Sequence, residues 1–442
     1  MSLSRWQLTE RPASAGSRSF MDKSIPKAVL VRRLEWFACF LSLTSLVFAN
    51  FAPLLAASGF LAGAALFASI RPTRAVKALA SDWLPWMYVA LAFVSISWSQ
   101  VPGLSLKYVA ELTLSVSAAL VMARGLEPPS FLSALMCAFL VVDAVGLYVD
   151  RYALNAGAWA MIGAFGSKNA FSTAQAALFL ISFWVLLSSR QGLLVRLLAL
   201  VGIFTCPFLL IAGRSADSVA PLIVATSLTS LVYSTARFPP IARVMALAAG
   251  AALIVGIFSI AFVFSDTVIG QLLTITGKDT TLTGRTYLWE KAAVLMNQHP
   301  LLGTGYGAFW IHGNPYAEEI WQHFGVIDRG NFNFHNIFYE QGVQLGYFGI
   351  AAALLTLLIA STRAVRWAVR FPTAESLFFL GYVMLVDMRS LLETEIFTQF
   401  TFEYLLFIAA GMYARYAPPM TSRPAPRQAS LSAANRAPSL IS

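Results

Sequence analysis

Charge is what this chain has least of. Lysine, arginine, aspartate and glutamate make up 12% of its 442 residues and 58% are hydrophobic, so the charged share is about half that of an ordinary soluble domain. Such a chain has too little polar surface to stay in water. Cysteine is nearly absent: Cys39, Cys137 and Cys206 fall in separate apolar runs without CxxC spacing, which excludes a disulfide framework and a cysteine metal site. The histidines number four, at positions 299, 312, 323 and 335, with no HxxxH and no carboxylate at ligand spacing. No metal site is expected from them.

Long apolar runs are what the chain does have. A helix needs roughly 20 apolar residues to cross a bilayer core about 30 Å thick, where its backbone must satisfy its own hydrogen bonds. Twelve runs approach that length: 34–49, 51–70, 84–99, 105–123, 131–149, 169–188, 197–212, 217–234, 243–264, 336–361, 375–390 and 396–413. The expected fold is therefore all-α and polytopic, with about twelve transmembrane helices. Residues 1–33 are polar and basic, and the first run joins the second across Asn50-Phe51-Ala52-Pro53, so no cleavable signal peptide is expected.

The net charge of +10 follows topology. With a cytoplasmic N-terminus, 22 of the 31 basic residues fall in inside segments, among them Arg71, Arg74, Lys77, Arg124, Arg190 and Arg363. An excess of Lys and Arg in cytoplasmic connections orients membrane proteins. Both termini are accordingly placed in the cytoplasm, and no nucleic-acid partner is expected.

This orientation divides the chain into a basic N-terminal tail (1–33), helices 1–9 (34–264), a large outer loop (265–335), helices 10–12 (336–414) and a C-terminal tail (415–442). No internal repeat is evident. Residues 1–25 and 417–442, rich in Ser, Pro, Ala and Arg, read as disordered tails beside anionic lipid. The outer loop does not read that way, because a long connection is functional when its composition supports packing. It holds Trp289, Trp310, Trp321, Tyr287, Tyr306, Tyr316 and all four histidines. Leu288, Trp289, Ala292, Leu295 and Met296 recur at helical spacing, which predicts an amphipathic helix over 285–298 lying on the membrane surface. Thr283 would cap it, and Pro300 with Gly303 would end it.

Several polar residues stand where chemistry needs them. Arg285 sits in the first turn of that helix, where the dipole favours anions, so a guanidinium there implies a negative partner: a phosphate or diphosphate, or a neighbouring acid. Arg214 follows Gly213 at the outer end of the seventh span and must face protein or water; pairing with Asp217 and snorkelling are its structural alternatives. Lys168 stands at the same level at the start of the sixth span. His335, just before the tenth span, has the titration range of a general base. Tyr316, Trp310 and Trp321 can stack on the C–H faces of sugars, while Asn314, Glu318, Glu319 and Gln322 can reach hydroxyls; ordinary packing of a lid explains the same residues. Gly303-Thr304-Gly305-Tyr306-Gly307 follows a helix and not a strand, which excludes a nucleotide loop and leaves a flexible turn. Lys107 and Glu111 are spaced to pair. Glu403 is the acid nearest a bilayer centre, and a transporter would rest on such a residue.

Gly284-Arg285-Thr286, Leu288-Trp289, His299-Pro300-Leu301-Leu302-Gly303-Thr304-Gly305, His335-Asn336, Leu345-Gly346 and Gly349, in that order, resemble the O-antigen ligase and Wzy-type polysaccharide polymerase superfamily of bacterial inner membranes. The likeness is clearest from about 213 to 350. The segment from Phe309-Trp310 through Asn314-Pro315 to Asn336 looks most like the branch that polymerises exopolysaccharide repeat units. The resemblance implies transfer of an oligosaccharide from undecaprenyl diphosphate to an acceptor hydroxyl at the periplasmic face, without a cofactor or required metal. Arg214 and Arg285 would hold the diphosphate, His335 would serve the acceptor hydroxyl, and Lys168 and Asn336 would line the substrate. Membrane lipid and a chain-length regulator are the implied partners. A ligase acting on lipid A core and a transporter remain as alternatives.

Overall fold

Proline at the first position of a helix costs nothing, because the N–H it lacks would have no partner there. Pro53, Pro72, Pro102, Pro128, Pro240 and Pro315 each open a helix in this way. The computed structural model describes residues 27–49, 51–155, 158–263, 284–327, 329–330 and 332–416. Residues 1–26 and 417–442 of the tails and the expected Thr283 cap lie outside them, while residues 27–33, expected in the N-terminal tail, belong to the first helix. In chain order the elements are α1 (Lys27–Val47), α2 (Pro53–Ile70), α3 (Pro72–Leu79), α4 (Leu84–Val94), α5 (Pro102–Gly125), α6 (Pro128–Val149), β1 (Tyr152–Asn155), β2 (Ala158–Met161), α7 (Lys168–Leu187), α8 (Leu193–Gly213), α9 (Ala216–Ser234) and α10 (Pro240–Val263). They continue with α11 (Arg285–Gln298), α12 (Pro315–Phe324), α13 (Ile337–Arg370), α14 (Ala374–Arg389) and α15 (Phe402–Tyr416). The all-α expectation is met apart from the antiparallel ribbon of β1 and β2, which pairs Tyr152 with Met161.

Among the described residues seven helices, α2, α5, α6, α7, α8, α9 and α13, are long and apolar enough to cross a membrane. The pair α3 and α4, bent by 69°, makes an eighth if it is one span. The chain is a polytopic membrane protein. Of the twelve runs counted in sequence, 375–390 returns at the same length as α14, 16 residues, whereas 396–413 returns shortened as α15, 15 residues, because the connection before it extends to Thr401. Leu54 and Leu55 on α2, Phe204, Phe208 and Ile211 on α8, and Ile241, Val244 and Met245 on α10 are each more than half exposed. An apolar belt of that kind is stable only against lipid.

The middle of the fold is α14, which packs on α6, α7, α9, α13 and α15 and is buried along almost its whole length. It holds Arg389, at its last residue, at the end of the bundle where the loop residues gather. The loop has its own apolar cluster: Leu288, Ala292, Leu295, Phe309, Ala317, Ile320, Trp321, Phe334 and Val343, with Trp289, Met296 and Trp310 against it. The amphipathic helix α11 therefore buries its stripe on protein, not on the membrane surface, since α12 and α13 supply the apolar partner.

The glycine-rich stretch after α11 is a fixed turn and not a flexible one. Gly303 and Gly346 both have positive φ, +66° and +63°, and Gly346 (ψ −156°) interrupts α13. A Cβ on Gly346 would lie 2.3 Å from the carbonyl carbon of Leu301, and one on Gly303 would lie 2.5 Å from that of Gln344. Only glycine admits that approach. The break frees backbone groups of α13, which are then satisfied: Thr304 N–H donates to Val343 O at 3.0 Å, Gly305 N–H to Gln344 O at 2.8 Å and Tyr347 N–H to Pro300 O at 2.8 Å. The loop is thereby laced to the start of α13, whose first turn adjoins His335.

Candidate active site

Five irregular segments meet at one end of the bundle: the turns before α7 and before α9, the start of α11, the residues before α13 and those after α14. Each ends on a polar side chain, and Glu393 joins them. After Arg389 the chain turns back, with Glu393 N–H donating to Arg389 O at 2.7 Å, so the Glu393 carboxylate points into the cluster. Arg285 Nη2 donates to Glu393 Oε1 at 2.7 Å, and Asn169 Nδ2 donates to the same oxygen at 2.6 Å. His335 Nδ1 lies 3.0 Å from Glu393 Oε2. Asp217 Oδ2 accepts a second bond from Arg285 Nη2 at 3.3 Å, and Ser215 Oγ donates to Asn169 Oδ1 at 3.2 Å. Arg285 is buried, 8% exposed, so these are not the weak pairs of a protein surface.

His335 is held in a left-handed backbone conformation, φ +50°, uncommon for a residue with a side chain. Asn333 Oδ1 accepts its N–H at 2.7 Å. Glu340, in the first turn of α13, accepts the N–H of Phe334 at 2.9 Å. With the Glu393 carboxylate on Nδ1, the neutral ring carries its proton there, and Nε2 is left as the basic nitrogen.

A second pair lies behind the first. Arg389, fully buried, donates from Nε to Glu395 Oε1 at 2.6 Å, and from Nη1 to Asp217 O at 2.9 Å and Ser218 Oγ at 2.6 Å. Thr173 Oγ1 donates to Glu395 Oε1 at 3.0 Å. Burial pushes the Glu395 carboxyl up, opposed by the nearby Arg389 guanidinium.

Beside these pairs opens a cavity of about 580 Å³, the size of a small-molecule site. Trp310, Trp321, Asn333, Gln344, Glu395 and Gln399 are among its lining residues, with Glu393 and Glu403. Glu395 Oε2 and Trp321 Nε1 are buried there with no hydrogen-bond partner among the described residues.

The structure thus brings His335, Arg285, Trp310 and Trp321 to one region and sets Lys168, half-buried, directly beside Asn169. Arg214 caps α8 with φ +48° and is exposed; its side chain has no ion-pair partner among the described residues, and Asp217 bonds Arg285 instead. Asn336 is committed to structure: Oδ1 caps α13 by accepting from Phe338 N–H at 2.9 Å, and Nδ2 donates to Leu391 O at 3.0 Å. Tyr316 lies away from the cavity, its hydroxyl accepting from Gln298 Nε2 at 3.2 Å. Asn314 caps α12, while Glu318 and Glu319 pair with Arg329 and Lys291. Lys107 and Glu111 stand 3.9 Å apart, as their spacing suggested. Asn169, Arg389, Glu393 and Glu395 are not legible as site residues in the sequence, and Asp217 is legible there only as a pairing partner for Arg214. The available signal was three charges, Arg389, Glu393 and Glu395, within seven residues of an otherwise apolar stretch.

The family model described as O-antigen ligase, Wzy_C, matches residues 201–354, a stretch that contains Arg214, Arg285 and His335 but neither Asn169 nor Glu393. Over 339 residues the chain is 27% identical to the exopolysaccharide production protein ExoQ of Rhizobium meliloti (strain 1021), a match covering 74% of this chain and 76% of that protein. With the ordered motifs from Gly284 to Gly349 and the multi-span helical fold, these findings support the resemblance to the O-antigen ligase and Wzy polysaccharide polymerase superfamily.

Proposed function

We propose that this protein polymerises exopolysaccharide repeat units at the periplasmic face of the bacterial inner membrane, transferring oligosaccharide from undecaprenyl diphosphate to an acceptor sugar hydroxyl. The observation that carries the reading is the single carboxylate, Glu393, that lines the aromatic and amide-lined cavity and also binds Arg285 and His335. In this reaction the acceptor oxygen attacks the anomeric carbon, its proton passes to His335 Nε2, and the bond to the diphosphate breaks with its electron pair on the leaving phosphate. Charge develops on that phosphate, and preorganised cations stabilise it. Arg214 is exposed and unpaired for this role, with Lys168 at the same level. Arg285 makes both of its carboxylate bonds through Nη2, leaving Nη1 and Nε to the donor. The unpartnered Trp321 Nε1 and Glu395 Oε2 suit sugar hydroxyls, and Trp310 offers a stacking face. The chain's own side chains supply both base and cation, so we read the transfer as metal-independent.

The test is made in cells that depend on this gene. Arg285→Ala, inserted at normal levels, is expected to leave single repeat units on the lipid carrier and abolish long polymer. Normal chain length from that variant would remove Arg285 from the mechanism. The family description favours one further reading, a ligase that moves finished polymer to lipid A core. Loss of long chains from lipopolysaccharide, with polymer still made on the carrier, would select it.

A further inference from the structure

The opposite end of the helices carries a second concave site. Arg74 and Lys77, one turn apart on α3, and Arg124, in the last turn of α5, line a pocket of about 320 Å³. Arg74 and Arg124 also line the adjoining cavity of about 600 Å³, whose walls include Leu126, Trp367, Phe371 and Met412. Other basic residues nearby have acidic partners: Arg363 and Arg415 both bind Asp82, and Arg71 binds Glu35. Arg74, Lys77 and Arg124 have no ion-pair partner among the described residues, and Arg124 only stands over the Tyr416 ring, 4.6 Å from its centroid. Three like charges held together repel one another unless an anion joins them. Glu127 and Glu375 border the larger cavity and hold an anion toward the cationic corner.

We propose that this site binds an anionic phospholipid, its phosphate among Arg74, Lys77 and Arg124 and its apolar part along the wall of Leu126, Trp367, Phe371 and Met412. A lipid is chosen over a free phosphate because the cationic corner opens onto an apolar wall. It also lies at the ends of the spanning helices α5 and α13, the depth of a headgroup. The proposal does not depend on the transferase reading.

The full chain, purified in detergent, is titrated with phosphatidylglycerol, with phosphatidylcholine and with inorganic phosphate, while bound lipid is counted by native mass spectrometry and the unfolding midpoint is followed. Phosphatidylglycerol is expected to be retained and to raise the midpoint. Phosphatidylcholine should be retained far less, and inorganic phosphate should do neither. Each cation removed should weaken phosphatidylglycerol about fivefold, from the attraction of one basic residue to an anionic headgroup. The variants are R74Q/K77Q/R124Q and, where the triple variant does not fold, R74Q/K77Q, whose two side chains are exposed. Equal retention of the two lipids, full stabilisation by inorganic phosphate, or wild-type retention by the folded variant would each overturn the proposal.

Discussion

Glu393 is the residue on which the site turns. A buried carboxylate that serves a guanidinium, an imidazole and an amide at once fixes three side chains from separate segments. Its charge also selects the tautomer of His335. Glu393→Gln keeps the shape but removes the charge, so the ring loses the partner that keeps its proton on Nδ1. Elongation should fall about 10²-fold or more, the scale of losing a well-placed base, while the amount of inserted protein stays normal. Turnover within a few-fold of wild type, measured on purified variant, would show that Glu393 only supports packing. Truncation to Ala is a poorer probe, because leaving Arg285 buried with one carboxylate fewer costs about 3–5 kcal/mol of stability.

At the level of elements, the helices were legible in the sequence because apolar length and proline punctuation are local signals. The span at 169–188 reappears as α7, Lys168–Leu187, and the helix expected at 285–298 as α11, Arg285–Gln298. What was not legible depends on long-range contact. Residues 396–401 were absorbed into the last apolar run, yet Phe397 and Phe400 have positive φ and the segment is part of the cavity wall. That reading shortened the charged connection before it and hid Glu393 and Glu395. Among site residues, Arg285 and His335 stood out by position and resemblance. Asn336 rests on the resemblance and Tyr316 on residue type, and neither signal distinguishes a helix cap or a surface contact from a ligand. The break in α13 gives a prediction at this scale. Gly346→Ala must hold a conformation nearly restricted to glycine, costing about 1–3 kcal/mol before any clash, and its Cβ would meet Leu301. The unfolding midpoint in detergent should drop, whereas a midpoint unchanged from wild type would show that the loop is not seated on the helix break.

For the whole molecule, function depends on which end of the bundle faces which compartment. Gln322 is exposed in the loop region and Glu127 is exposed at the opposite end. A membrane-impermeant maleimide should label Gln322→Cys in intact spheroplasts, and should label Glu127→Cys only after the membrane is opened. The reverse pattern would put the candidate site in the cytosol, away from the proposed donor. The most direct measurement is reconstitution: the purified chain in proteoliposomes, supplied with the undecaprenyl-diphosphate-linked repeat unit of its own host, with product length read on a gel. Wild type should yield a ladder of longer lipid-linked chains and His335→Ala only the starting unit; a ladder of equal length and rate from His335→Ala would contradict the account.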